Sequence, residues 1–344
     1  MTVSAIDLFC GVGGLTHGLE LSGINVIAGY DNDEKCRFPY EKNNNSKFVN
    51  KNISDLKSSE LNPAYLNSKV KLLAGCAPCQ PFSKYTQAQP KDSRWGLLND
   101  FSRIAVKLQP ELITMENVPE LHKHSIFLDF VHNLKRKGYH VAHSVVYCPD
   151  YGIPQSRKRL VLLASLYGEI NLAPPTHQPK NYETLKTTIA DLPPLKAGES
   201  DISDPLHRAA GLSEINIKRI NASKPGGSWK DWPLEFLTDC HKRESGKKYT
   251  SIYGRMEWNK QSPTITTQFY NYGSGRHGHP SQPRAISIRE AAILQSFPLS
   301  YQFTEEDTFS ITDISRMIGN AVPVRLGEII GRSFLQHLKD QKIN

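Results

Sequence analysis

The sequence predicts an α/β fold: a doubly wound, mostly parallel sheet with a second, smaller and irregular domain. Three observations predict it. Over the first 165 residues, short apolar runs alternate with helix-like segments, the pattern of strand–helix–strand units. The first run ends in a glycine-rich turn, Gly11-Val12-Gly13-Gly14. From Ala173-Pro174-Pro175 to about Pro283 the texture turns rich in Pro, Gly, Ser and Asn, with no long periodic segment. On this reading residues 1–173 and 305–344 form one domain and 174–304 the other.

The elements follow in order. Ile6-Asp7-Leu8-Phe9 reads as a strand, and Leu15 with Leu19 marks one face of a helix that Gly23 ends. Ile24 to Ala28, Val70 to Ala74, Leu112 to Met115, Val141 to Tyr147 and Leu160 to Ser165 are further short apolar strands. Helical periodicity fills Leu97 to Leu108 and Ile126 to Lys137, and returns at Ser287 to Gln295 and Val322 to Leu338. No internal repeat is evident.

Composition excludes several classes. A chain of 344 residues with 38% hydrophobic and 22% charged residues is neither disordered nor collagen-like. Apolar runs as short as Leu160 to Ala164 fall far below the roughly 20 residues of a membrane span. The start, Val3-Ser4-Ala5-Ile6, carries no basic leader segment, and six unevenly spaced cysteines do not form a disulfide framework. A reducing cytoplasm is the expected setting. The net charge of +8 hints at an acidic partner, and its location says more. Between Lys242 and Arg284 lie eight Lys or Arg and two Glu, a local +6, interleaved with Tyr249, Tyr253, Trp258, Phe269, Tyr270 and Tyr272. Cations among aromatics suit phosphate contacts and base stacking; a solvated basic face over core aromatics is the plainer alternative.

The first turn points to a nucleoside ligand. Glycines let the backbone approach a ligand, and the following helix N-terminus favours a negative group. A dinucleotide cradle would want Gly at 11, 13 and 16, but position 16 is Thr, so a ligand with one carboxylate and no phosphate fits better. Asp31, 20 residues after Gly11, stands where an acid takes ribose hydroxyls.

Gly75-Cys76-Ala77-Pro78-Cys79-Gln80-Pro81-Phe82-Ser83 follows the Val70–Ala74 strand. Cys76 and Cys79 are half a zinc site, which His140, His143 and Cys148 could complete only by accident of folding. Cys-Ala-Pro-Cys also resembles a redox pair, although Pro81 removes a backbone donor early where a redox motif opens a helix. The third reading makes Cys79 a lone nucleophile on a loop at the carboxyl end of a strand. Glu116-Asn117-Val118 ends the Leu112–Met115 strand, and adjacent strands would bring Glu116 to the same edge as the thiol. Gln155-Ser156-Arg157-Lys158-Arg159 feeds three cations into a strand, either as a surface cluster or aimed at phosphate or a carbonyl.

Taken together and in this order, these segments resemble the DNA (cytosine-5)-methyltransferases of bacterial modification systems. Residues 7–14 resemble the family's cofactor loop, 78–83 its nucleophile loop, Glu116-Asn117-Val118 its catalytic-acid motif and 155–159 its Gln-x-Arg-x-Arg segment. Arg289-Glu290-Ala291-Ala292 through Gln295-Ser296-Phe297-Pro298 resembles the helix supporting the recognition domain, and Gly319-Asn320-Ala321-Val322-Pro323 the closing motif.

The resemblance implies a methyltransferase fold of the Rossmann-like type that uses S-adenosyl-L-methionine. It implies that Cys79 adds to C6 of a cytosine flipped out of double-stranded DNA, Glu116 protonates N3, Arg159 holds O2 and Arg157 orders that pocket. Phe9, Gly11, Gly13, Asp31, Leu97, Asn320 and Val322 would surround the cofactor. Asn52-Ile53 stands where the family commonly has Asp-Ile near the adenine. Gln80 and Ser83 would line the DNA side, and the 174–283 stretch falls where the family keeps its target recognition domain. Within it, Lys247, Lys248, Arg255, Gln268 and Arg276 are the candidate DNA contacts. A monomer working in the cytoplasm at the nucleoid, beside a separately acting restriction endonuclease, is the expected setting. Three rivals remain: the same chemistry on tRNA, for which the Cys-Phe-Thr signature is missing; a non-catalytic DNA-binding homologue; and a nicotinamide oxidoreductase.

Overall fold

The computed structural model describes residues 2–78, 96–250, 252–305 and 310–343. The chain forms two compact units. The first comprises Met1–Tyr151, Lys158–Thr176 and Ala321–Asn344, the second Gly152–Arg157 and His177–Asn320.

In the first unit the order is β1 (Val3–Leu8), α1 (Gly14–Leu21), β2 (Asn25–Asp31), α2 (Arg37–Asn43), β3 (Lys47–Asn50), α3 (Ser58–Leu61) and β4 (Val70–Gly75). It continues with α4 (Gly96–Leu108), β5 (Leu112–Asn117), α5 (Ser125–Arg136) and β6 (His140–Tyr147). After a short strand given to the second unit, β7 (Gln155–Ser156), comes β8 (Lys158–Ser165). Among the described residues, seven strands pair in the order β3-β2-β1-β4-β5-β8-β6. Every pairing from β3 to β5 is parallel; β8 runs antiparallel to both β5 and β6.

Alternation along β1 shows why the sheet is covered on both faces. Ile6 and Leu8 join the core made with Leu98, Phe101 and Ile104 of α4 and Phe127, Phe130 and Leu134 of α5. Asp7, between them, turns to the other face, where its carboxylate accepts from the Thr16 hydroxyl of α1 at 2.8 Å. α1 on that face packs in turn against the C-terminal helix α11 (Val324–Asp340). The chain reverses its direction of travel across the sheet between β1 and β4, and open α/β sheets place ligands outside the carboxyl ends of such neighbours. Leu8 and Gly75, the last residues of these two strands, are paired in register.

The second unit holds α6 (Leu185–Ile189), α7 (Glu214–Ala222), α8 (Asp239–Lys242), β9 (Ser262–Pro263), α9 (Ile288–Leu294) and α10 (Ile311–Asn320). β7 pairs in parallel with β9. Ile220, Trp229, Trp232, Tyr272 and Ala285 form a small core. α9 starts in a capping box, with Ser287 accepting from the Glu290 amide and Glu290 from the Ser287 amide. α11 (Val324–Asp340) returns to the first unit and lies against α1 so closely that only glycine fits at the crossing: a Cβ on Gly18 would stand 2.2 Å from the Val324 carbonyl. No helix among the described residues is long and apolar enough to cross a membrane.

Candidate active site

The carboxyl end of β1 builds a turn unusual in its backbone. Phe9, Gly11 and Gly13 all have positive φ, of 60°, 51° and 87°. Only glycine adopts this region without strain, so Gly11 and Gly13 are required and Phe9 is held there by its surroundings. Phe9 packs against the core that contains Ile53 and Leu98. Asp31, ending β2, reaches across: its Oδ2 accepts from the Gly11 amide at 2.9 Å and its Oδ1 from the Asp33 amide at 3.0 Å. Burial raises the Asp31 carboxyl above its ordinary value despite these bonds. Gly14 is pressed against the chain after Ala321, where its Cβ would meet the Val322 carbonyl at 2.3 Å. Val322 is therefore a buried stop beneath the turn.

Asn52 caps the short turn Ile53–Asp55 by accepting from the Ser54 amide at 3.1 Å, and Ile53 is buried beneath it. Arg103 of α4 clamps the same turn, donating to the carbonyls of Leu56, Ile53 and Ser54 at 2.9, 3.2 and 3.2 Å. No sequence pattern singled out Arg103, since an arginine on a helix is ordinarily solvated. Leu97 lies half-buried in the first turn of α4. Asn320 is the exposed last residue of α10 in the second unit.

At the next strand ends the chemistry concentrates. β4 and β5 pair through Gly75 and Met115, so the residues that follow each, Cys76 and Glu116, come together. The Cys76 thiol donates to Glu116 Oε2 at 2.8 Å. Arg159, entering β8, sets its Nε 2.8 Å from Oε1, an ion pair without hydrogen-bond alignment. Glu116 is 2% exposed. Asn117 repeats the link, donating to the Ala77 carbonyl at 3.1 Å. Two successive residues of β5 thus hold the root of the cysteine loop, while Cys79, Gln80 and Ser83 lie outside the described residues. Among the described residues, no three His, Cys, Asp or Glu converge on a metal position.

Arg157 falls in the second unit with β7, buried, donating to the Ile265 carbonyl at 3.3 Å. Its neighbour Gln155 is a fully buried node. It accepts from the Ile265 amide at 2.9 Å and donates to the Leu294 carbonyl at 3.1 Å and to Gln295 at 2.9 Å. Gln295 in turn donates to the Ile318 carbonyl at 2.7 Å. Arg255 spends its guanidinium on the carbonyls of His279, Ile220 and Ser223 at 3.0–3.1 Å, as a crosslink inside the unit. Lys247 and Lys248 are exposed in a short turn, with Lys247 paired to Glu244. Gln268 and Arg276 are exposed as well.

Sheet order, glycine turn and crossing acid together define the fold of S-adenosylmethionine-dependent methyltransferases. A solved DNA modification methyltransferase encoded within an E. coli prophage shares it, with a TM-score of 0.74 at 22% identity over 98% of this chain and 100% of that one. The family model for C-5 cytosine-specific DNA methylases matches residues 3–336, and the chain belongs to that family. It is 52% identical to the Type II methylase M.HgiDII of Herpetosiphon aurantiacus, over 98% of this chain and 97% of that protein. It is 30% identical to the Type II methyltransferase M1.BsuMI of Bacillus subtilis, over 96% of this chain and 79% of that one.

Proposed function

We propose that this chain is the site-specific modification enzyme of a type II restriction-modification system, methylating C5 of a flipped-out cytosine in double-stranded DNA. The observation that carries the reading is Glu116: a buried carboxyl at a strand end, faced by a guanidinium, beside the root of the loop that bears Cys79. The rest of the site fits S-adenosyl-L-methionine. The Asp31 carboxylate keeps acceptor capacity for a ribose diol beyond the two amides it binds. At the positive-φ Gly11 a Cβ would meet nothing within 4 Å among the described residues.

When bound, S-adenosyl-L-methionine supplies a methyl group already activated on a sulfonium. The chain does the rest. The Cys79 thiolate adds to C6 of the cytosine, forming the S–C6 bond and breaking the aromaticity that makes C5 unreactive. Glu116 gives its proton to N3 as charge builds on the ring, and Arg159 stabilises the O2 oxygen. Arg157 orders the segment leading into β8. Once C5 carries the new group, its proton passes to solvent, the C–H electron pair re-forms the C5–C6 double bond, the S–C6 bond breaks with Cys79 leaving as thiolate, and the N3 proton returns to Glu116. Asp31, Phe9, Gly11, Gly13, Asn52, Ile53, Leu97, Asn320 and Val322 are assigned to the cofactor. Gln80 and Ser83 are assigned to the DNA side of the nucleophile loop.

Target recognition is assigned to residues 174–304, with Lys247, Lys248, Gln268 and Arg276 on DNA. Arg255 supports that domain from within. The enzyme works as a cytoplasmic monomer on the nucleoid, and its cognate endonuclease is a separate protein.

The test is transfer of labelled methyl from S-adenosyl-L-methionine to duplex DNA, with 5-methylcytosine mapped in DNA from expressing cells. Cys79→Ser should abolish transfer while cofactor binding persists. Label on tRNA alone, or full activity of Cys79→Ser, overturns the reading.

A further inference from the structure

The nucleophile-loop motif that this chain shares with its family begins at Pro78, which leaves the first cysteine of Cys-Ala-Pro-Cys without a role. The structure gives Cys76 a specific one. Its backbone amide is tied to the Leu8 carbonyl at 3.2 Å, so its position is set by the sheet itself. Its thiol donates to Glu116 Oε2 at 2.8 Å. A thiol is a weak donor, and here its acceptor is an oxygen of the buried Glu116 carboxyl at the neighbouring strand end. The other oxygen, Oε1, faces Arg159 Nε at 2.8 Å and accepts no hydrogen bond among the described residues.

We propose that Cys76 is a positioning residue for the methyl-transfer reaction, holding Glu116 by Oε2 so that Oε1 is the oxygen presented to the pyrimidine. A strand-end glutamate has three side-chain torsions. The Arg159 contact restrains one oxygen without aligned geometry, and the Cys76 bond fixes the rotation of the carboxyl plane. Removing the donor leaves the acid in place but lets the plane turn, so Oε1 spends less time aimed at N3. Substrate affinity, set elsewhere, is unaffected. This inference rests on the methyltransferase reading of the same site.

The experiment measures kcat and KM for duplex DNA and for S-adenosyl-L-methionine in Cys76→Ala and Cys76→Ser, under reducing conditions. Loss of one hydrogen bond to the Glu116 carboxyl should lower kcat about tenfold in Cys76→Ala, with both KM values within about twofold of wild type. Cys76→Ser keeps a donor and should recover to within about threefold of wild type. In single turnovers of Glu116→Gln, adding Cys76→Ala should change the rate less than about twofold, because the two residues act as one unit. The proposal is overturned if Cys76→Ala keeps the wild-type kcat. It is overturned equally if Ala and Ser are impaired alike, or if the tenfold loss persists in the Glu116→Gln background. These last two outcomes would mark Cys76 as merely structural. A wild-type chain that moves no methyl to duplex cytosine overturns the functional reading and this proposal together. An active wild type with an unaffected Cys76→Ala overturns this proposal alone.

Discussion

Replacing Gly18 with alanine should drive α1 off α11 and loosen the cofactor turn at once. The added Cβ would stand 2.2 Å from the Val324 carbonyl oxygen, 2.5 Å from the Glu328 amide and 2.7 Å from the Gly327 carbonyl carbon. All three obstacles are backbone, so no side chain can rotate away. Ordinary contact begins at about 3.4 Å, so the helices must part by about 1 Å. Local escape is blocked on both sides. A Cβ at Gly14 would meet Val322 at 2.3 Å, and Gly331 admits Ser22 at 2.0 Å from where its own Cβ would be. Overpacking of this kind costs about 1–3 kcal/mol, the loosened helix packing adds to it, and alanine's helix propensity returns up to about 1 kcal/mol. A net loss of about 2–3 kcal/mol, spread over the unfolding entropy of roughly 190 residues, lowers the Tm of the first unit by about 5–7 °C. α1 starts at Gly14, directly after the turn whose Gly11 amide binds Asp31, so affinity for S-adenosyl-L-methionine should fall severalfold with it. Calorimetric melting and titration with the cofactor read the two effects. An unchanged or raised Tm would refute the argument. Gly211→Ala, where the new Cβ meets nothing within 4 Å, serves as the neutral comparison and should change stability by under about 0.5 kcal/mol.

Two further outcomes follow from charge. Changing Lys247 and Lys248 together to alanine should weaken duplex binding and make the fall of log K with log salt shallower by about 1 for each phosphate no longer neutralised, with the single-turnover rate unchanged; an unaltered slope would place the DNA elsewhere. Burial carries the Asp7 carboxyl from 3.8 to about 7, so its stabilising contribution is complete below pH 4 and is lost as pH rises through 7, on the order of 4 kcal/mol in all. Asp7→Asn should therefore flatten the decline of Tm between pH 5 and pH 8, and parallel curves for the two proteins would contradict the burial argument.

Much of the sheet was legible because strands covered on both faces read as short, mostly apolar runs. β1, β2, β4, β5 and β8 coincide with such runs, and β6, an edge strand with most of its residues exposed or half-buried, was picked out by Val141, Val145 and Val146. β3 did not stand out: it is four residues at a sheet edge, Lys47-Phe48-Val49-Asn50, and only Phe48 is buried. Nor could the direction of β8 be read, since an apolar run is the same in either orientation. The pairing of Glu116 with the cysteine loop was foreseen from strand adjacency, and the register of Gly75 with Met115 supplies the reason. The Cys76–Glu116 bond and the Arg103 clamp were not foreseen, because each depends on a rotamer reaching a partner 40 or more residues away. Arg159 and Arg157 look equivalent in sequence. In the structure Arg157 lies between β7 and β8 and binds the Ile265 carbonyl in the second unit, whereas Arg159 lies in β8 and faces Glu116.

Thr16 sharpens the meaning of the first turn. In a pyrophosphate-binding turn the third glycine serves close packing between helix and strand. Here that position is filled by a threonine that uses its bulk. Its hydroxyl donates to Asp7 at 2.8 Å and meets the Tyr40 hydroxyl at 3.1 Å, all of it buried under the turn. The close packing has moved to the outer side of the same helix, where Gly14 and Gly18 meet the chain from Val322 to Glu328. The helix is thus spaced from β1 by a polar linkage and pressed against α11 by glycines. The third glycine position is thus taken by a threonine bonded to Asp7 and Tyr40, and the turn departs there from the pyrophosphate-binding pattern.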